Sequence, residues 1–162
     1  MQTGLPQQEE WFLAKYEAYG RMLFRIAMVH LGNKADAEEA VQEAFIKLLY
    51  KAPEFGDQEH EKAWIIRVIT NLCRNMARSV WNRRVVRMEE MEQYAGSGPD
   101  LELLEHVLRL PSKYKIVIHL FYYEDYPVRQ IAEILKLRES AVKMRLQRGR
   151  QMLLMEWEED NG

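Results

Sequence analysis

Cysteine is almost missing from this chain. Among its 162 residues only Cys73 carries a thiol, which excludes an intramolecular disulfide and any multi-thiolate zinc site and fits a reducing compartment. Eight glycines and five prolines are too few for a turn-rich β protein, so the chain reads as all-helical. The four histidines, His30, His60, His106 and His119, have no metal-ligand spacing. There is no glycine-rich phosphate loop and no Cys/His pairing, so neither an enzyme nor a metal or cofactor is expected. No apolar run approaches the roughly 18 residues of a membrane span, and Met-Gln-Thr-Gly-Leu-Pro at the N-terminus lacks the basic and apolar regions of a signal peptide. The expectation is a soluble, cytoplasmic protein without direct membrane insertion.

An excess of basic charge is also lacking. The 23 Lys and Arg residues are outnumbered by 25 Asp and Glu, which excludes a uniformly basic nucleic-acid coat protein. The average conceals segregation, however. Residues 61–88 hold seven basic groups against one acidic, and residues 129–150 hold seven against two. Between them, residues 89–106 hold six acidic groups and no basic one. Exposed charges interact over about 8 Å at physiological salt, so a polyanion would feel the basic blocks and not the mean. Met91–Asp100 combines acid with Gly-Ser-Gly-Pro, which breaks helices, so residues 89–100 are expected to be a flexible acidic linker between domains 1–88 and 101–162.

In the first domain a helix is expected from about Glu9 to Leu31, stopped by Gly32-Asn33. In the next helix Ala37, Ala40, Val41, Ala44, Phe45, Leu48 and Leu49 recur at three- and four-residue spacing as one buried stripe. The opposite face carries Asp36, Glu39, Glu43, Ile46 and Tyr50, apolar side chains among carboxylates. It is either an ordinary solvated face or a protein-docking one. A third helix is expected over Glu61–Arg84, burying Ile65, Val68, Ile69, Leu72, Cys73, Met76 and Val80. On its other side Arg67, Asn71, Arg74 and Arg78 form a nearly straight polar stripe flanked by Trp64. Arginine forks at that spacing can follow a phosphate backbone, with a solvated face as the alternative.

The second domain is expected to contain short helices at Leu101–Leu108 and Ser112–Tyr123, split by Pro111. Val128–Arg150 then has the layout of a helix-turn-helix, with Ile131, Leu135, Leu137, Val142 and Leu146 as shared core. Its second helix would turn Ser140, Lys143, Met144, Gln147 and Arg148 outward, with Arg145 and Arg150 on the flanks. Such a face offers donors for purine edges and cations for phosphates. The turn usually has glycine where Lys136 stands, because that residue commonly takes positive φ.

Three segments together resemble the extracytoplasmic-function class of bacterial sigma factors, over nearly the whole chain. Asp36-Ala-Glu-Glu-Ala-Val-Gln-Glu-Ala-Phe-Ile-Lys-Leu48 resembles the class's polymerase-binding helix, and Ala63-Trp-Ile-Ile-Arg-Val-Ile-Thr-Asn-Leu72 its promoter-melting helix. Leu110-Pro-Ser-Lys-Tyr-Lys-Ile-Val-Ile-His-Leu-Phe-Tyr-Tyr-Glu-Asp125, followed by the helix-turn-helix, is the third. The resemblance implies domains two and four of a sigma factor, with no third domain in the short linker. It implies core RNA polymerase as partner, docked through Asp36, Glu39, Gln42, Glu43 and Ile46. It implies that Lys47, Phe55, the loop Gly56 to His60 and Asn71 surround a base flipped from the melted minus-ten strand, with Arg74 and Arg78 along its backbone; Trp64 and Arg67 are grouped with this minus-ten set, with a place in the core as the alternative for Trp64. On duplex promoter DNA it assigns Ser140, Lys143, Met144, Gln147 and Arg148 to the minus-thirty-five element and Arg129, Arg145 and Arg150 to its phosphates. Met144 stands where the class often has serine, and would meet a thymine methyl. An anti-sigma protein, often membrane-anchored, is the implied regulator. Two other readings are a polymerase-independent helix-turn-helix regulator, which would bind paired half-sites as a dimer, and an adaptor that mimics a sigma factor. A mimic should have lost the DNA-facing basic residues, and both basic blocks are intact.

Overall fold

The computed structural model describes residues 5–80 and 105–161, and all regular structure among them is helical. The expected linker 89–100 lies outside the described residues. Helices α1 (Leu5–Leu31), α2 (Lys34–Tyr50) and α3 (Gln58–Val80) pack pairwise into one unit. α1 begins four residues before Glu9. It ends at Gly32, whose φ of 77° requires a residue without Cβ strain and whose N–H donates to the Met28 carbonyl. The next residue opens α2: the Asn33 side chain accepts from the Asp36 N–H at 2.9 Å, a cap worth about 1 kcal/mol. Asp57 does the same for α3, accepting from the His60 N–H at 2.8 Å. The helix therefore starts at Gln58, and His60 stands in its first turn, where a loop was expected.

Leu23, Ile26, Ala37, Ala40, Ala44, Phe45, Leu48, Ile65 and Ile69 form the centre of this unit. The small residues of α2 let the three axes approach closely. Leu49 was expected in the same stripe but is 44% exposed, since its position falls past the edge of the contact with α1 and α3. At the other end Lys15 pairs with Glu61 at 2.7 Å and the Tyr19 hydroxyl donates to the same carboxylate at 2.6 Å, tying α1 to the start of α3.

In the second unit a helical turn at 105–109 precedes α4 (Ser112–Ile118), which widens into a π-helical turn over His119–Tyr123. α5 (Val128–Leu135) and α6 (Glu139–Asn161) follow as the helix-turn-helix. Lys136 does take the left-handed conformation (φ 56°, ψ 47°), and the Leu137 N–H closes the turn on the Ala132 carbonyl at 2.9 Å. Ile131, Val142 and Leu146 of the expected shared core are buried, whereas Leu135 and Leu137 are only half-buried and Ile134, on the side of α3, is buried instead. Gly149 is what lets α6 lie on α4, since a Cβ there would stand 3.1 Å from Ile118 Cγ1.

The units are not held apart. α1 packs beside α4, and α3 beside α5. This explains why Ile66 and Thr70, outside the expected stripe of α3, are buried with Cys73 on a second face of that helix.

Candidate nucleic-acid interface

Three faces are assembled by these helices. On α2, Glu39, Gln42 and Glu43 are exposed and Ile46 is half exposed. Asp36 differs from them, because its carboxylate accepts from Asn33 Nδ2 at 2.7 Å and belongs to the cap. Around the start of α3 the expected minus-ten residues converge. Phe55 meets His60 edge-on at 5.2 Å between ring centroids and Trp64 at 5.6 Å, while the Gly56 N–H donates to His60 Nδ1 at 3.2 Å. This aromatic corner is open on one side: His60 and Gly56 are exposed, and no atom lies within 4 Å of the Cβ position at Gly56. Lys47 is half-buried on α2.

The polar stripe of α3 continues from this corner, but its members do not behave alike. Asn71 and Arg74 are exposed. Arg67 is turned toward the second unit, where its Nε donates to the Ile134 carbonyl at 2.8 Å and its Nη2 to the Glu133 carbonyl at 3.4 Å. Both acceptors lie at the C-terminal end of α5, where helix carbonyls lack partners and the dipole favours a cation. Arg78 falls in the last turn of α3, outside the described side chains.

On α6, Ser140, Lys143, Met144, Gln147 and Arg148 share one exposed face, Met144 being 45% exposed. The Arg148 guanidinium beside the Tyr114 hydroxyl lowers that group's pKa. Arg129 at the start of α5 is also exposed. The two flanking arginines diverge. Arg145 faces α3 across a polar cleft of about 300 Å³ that also receives Arg67, Asn71 and Arg74. Arg150 points the other way, donating to the Tyr122 hydroxyl at 2.9 Å.

The profile of Sigma-70 region 2 matches residues 16–83, and that of Sigma-70 region 4 matches residues 100–153. The chain is 30% identical over 156 residues to the ECF RNA polymerase sigma factor SigW of Bacillus subtilis, covering 85% of this chain and 83% of SigW. It belongs to the extracytoplasmic-function sigma factors of the sigma-70 family. SigL of Mycobacterium tuberculosis is 29% identical over 143 residues, covering 82% of this sigma factor and 81% of SigL. Among solved structures, the sigma factor RpoE in complex with the anti-sigma factor NepR from Bartonella quintana has the same fold. That match has a TM-score of 0.69 at 20% identity and covers 88% of this chain and 93% of RpoE.

Two surfaces of this sigma factor escaped the sequence reading. An apolar groove of about 450 Å³ runs between α4 and the end of α6, lined by Val107, Ile118, Tyr122, Leu153, Leu154 and Trp157. Leu153, Leu154 and Trp157 do recur at helical spacing, which is the signal that could have found the groove. On α1, Phe12, Leu13 and Tyr16 are exposed, and the Phe12 and Tyr16 rings both lie 5.6 Å from Phe45. Among the described residues no helix is long and apolar enough to cross a membrane, and no group of His, Cys, Asp and Glu could hold a metal.

Proposed function

We propose that this sigma factor works as a dissociable initiation subunit through two domains, residues 1–88 and 101–162, joined by the acidic segment 89–100. Glu39, Gln42, Glu43 and Ile46 dock α2 on the clamp helices of the largest polymerase subunit, and Asp36 holds the start of that helix in shape. An apolar side chain ringed by carboxylates suits a helix-on-helix contact with a basic partner. Lys47, Phe55, Gly56, His60 and Trp64 receive a base flipped from the non-template minus-ten strand, and Arg67, Asn71, Arg74 and Arg78 follow its backbone. Stacking contributes about 1–3 kcal/mol per base, which is what extrusion of one base from the duplex costs in order of magnitude.

At the minus-thirty-five element Ser140, Lys143, Gln147 and Arg148 read base edges and Met144 meets a thymine methyl, while Arg129, Arg145 and Arg150 pair with phosphates. Neither small domain need bind DNA tightly alone. Docking both on one enzyme fixes their separation and raises the effective concentration of the second contact. The observation that carries the reading is the exposed, basic face of α6 within a left-handed-turn helix-turn-helix, in a chain that also exposes the acidic face of α2. RpoE was solved with an anti-sigma factor, and we extend that kind of partner, soluble or membrane-anchored, to this cytoplasmic chain.

Reconstitution with bacterial core RNA polymerase tests this. The wild type is expected to co-elute with core and to transcribe specific members of a promoter-fragment library, and Glu43→Arg to lose both. Failure to co-elute with a competent core would overturn the reading in favour of a polymerase-independent regulator.

A further inference from the structure

Charge is distributed unevenly where the two units meet. Arg25 on α1 forks onto Glu124 in the second unit, with Nε–Oε2 at 2.8 Å and Nη2–Oε1 at 2.7 Å, and the buried His119 holds the same carboxylate at 2.9 Å through Nε2, so this part is balanced. So is a cleft of about 310 Å³ between the start of α3 and α5, where Asp57, Glu59 and Glu133 offset Lys62 and Arg67. The cleft of about 300 Å³ farther along α3 is not balanced. Arg67, Arg74 and Arg145 open into it with Asn71 and with no acidic residue, and among the described residues no carboxylate pairs with any of the three guanidinium groups. Arg145 is half-buried there. Ile116, Leu135 and Leu137 supply an apolar wall, and the Thr70 hydroxyl adds no donor because it is spent on the Ile66 carbonyl at 2.7 Å.

We propose that this cleft is a binding site for a short oligophosphate such as a linear triphosphate, free or as the tail of a nucleotide. Guanidinium groups suit it because each presents a planar fork of donors to phosphate oxygens, and the Asn71 amide adds a neutral donor. Arg67 is held in place by its bonds from Nε and Nη2 to the α5 carbonyls, which leave Nη1 outside them. Arg67 and Arg74 are seven residues apart, about 10 Å along the helix axis, so the positive charge extends over a length that a chain of phosphates matches better than a single one. The apolar wall excludes water from one side and strengthens each pairing. Such an anion would touch α3 and α6 together and so tie the two units. It would also occupy Asn71 and Arg74, the groups given above to the melted strand, and is expected to compete with single-stranded DNA; only this consequence rests on that reading.

The test is calorimetric titration of the full chain with inorganic triphosphate at physiological salt, with a chelator present so that no divalent cation competes for the phosphates. A single site is expected. Arg74→Ala and Arg145→Ala, one from each side of the cleft, should each weaken binding by about tenfold to a hundredfold, the loss of one charge-assisted pairing. Arg21→Ala, which removes an exposed guanidinium on α1 away from the cleft, should not. Circular dichroism verifies that each variant is folded, and a readout that needs no variant is the urea midpoint of the wild type, which triphosphate should raise. ATP titrated in the same way separates the sources: tighter binding than triphosphate gives the site to a nucleotide, equal or weaker binding to the bare phosphate chain, and the site stands in both cases. Absence of triphosphate binding, an equal loss in Arg21→Ala, or binding that ignores Arg145 would each overturn it. So would a fluorescein-labelled oligothymidylate that binds through Arg74 and Arg145 where triphosphate does not, which would leave the strand reading of α3 in place. Triphosphate that binds as expected while Asn71→Ala leaves promoter opening intact supports the site and removes the strand reading instead.

Discussion

Helix α6 turns Lys143, Met144, Gln147 and Arg148 to solvent, whereas α3, with a comparable set of polar side chains, gives Arg67 to the carbonyls of Glu133 and Ile134. The difference has a local cause. α6 packs through Val142, Leu146 and Gly149, which occupy one side only, so the opposite side is free. α3 buries two faces: Ile65 and Ile69 against its own unit, Ile66, Thr70 and Cys73 on the side of the second unit. Its polar stripe is what lies between and beside those faces. The face of α6 proposed to read duplex DNA is thus open to solvent, and the stripe of α3 proposed to follow the single strand is partly engaged by the second unit.

The largest predicted effect is on the exposed face of α6. Arg148→Ala should weaken minus-thirty-five recognition by about 1–3 kcal/mol in the free protein and the holoenzyme alike, read by duplex binding. Asn71→Ala should leave duplex binding unchanged and impair opening in the holoenzyme only. Equal effects of the two substitutions on duplex binding would erase the distinction between the helices.

Gly149→Leu tests how α6 is presented. Its side chain would drive into Ile118 and Tyr114, and overpacking of this kind costs about 1–3 kcal/mol. The second unit should unfold earlier in urea while the α1–α3 unit keeps its midpoint. Unchanged unfolding would mean that α6 is not seated on α4 through this contact.

Acidification tests the contact between the units. Burial lowers the pKa of His119 below its ordinary 6.5, although the Glu124 carboxylate facing it pulls the other way. Burial also pushes Glu124 up, but hydrogen bonds from Arg25 and His119 outweigh it and hold the carboxyl below its ordinary 4.5. Both groups therefore bind protons more readily when released. The stability they contribute is present above pH 6.5 and is lost as pH falls, first through the titration of His119 and then through that of Glu124. Urea midpoints should drop from about pH 7.5 to 5.5, and less so in His119→Gln. A midpoint that rises on acidification would contradict these assignments.

The smallest effect is at the turn. Lys136→Gly removes left-handed strain at φ 56° and should stabilise the helix-turn-helix by about 0.5–1 kcal/mol, with DNA binding unchanged. A destabilised variant would mean that the lysine side chain contributes more than its backbone costs.

What was legible in the sequence is what is local. The alanine stripe of α2, the arrest at Gly32-Asn33 and the helix-turn-helix all follow from spacing and caps within a few residues, and the fold class and family follow from their order. The unread parts join distant residues. Arg25 and Glu124 are 99 positions apart and Arg67 and Ile134 67 apart, and no periodicity marks such pairs. Ile66 and Thr70 fall outside the expected stripe of α3 for the same reason, since what buries them belongs to the second unit. Arg145 and Arg150 are expected on the flanks of α6 from spacing alone, and their neighbours, the α3 cleft and Tyr122, decide where each points.

The most direct test of the account is a titration of the single-stranded minus-ten region, taken from a promoter that the holoenzyme transcribes, with free protein and with holoenzyme. Weak binding by the free protein and strong, Asn71-dependent binding by the holoenzyme is the predicted result. Holoenzyme binding that does not depend on Asn71 would contradict the strand-binding role proposed for α3.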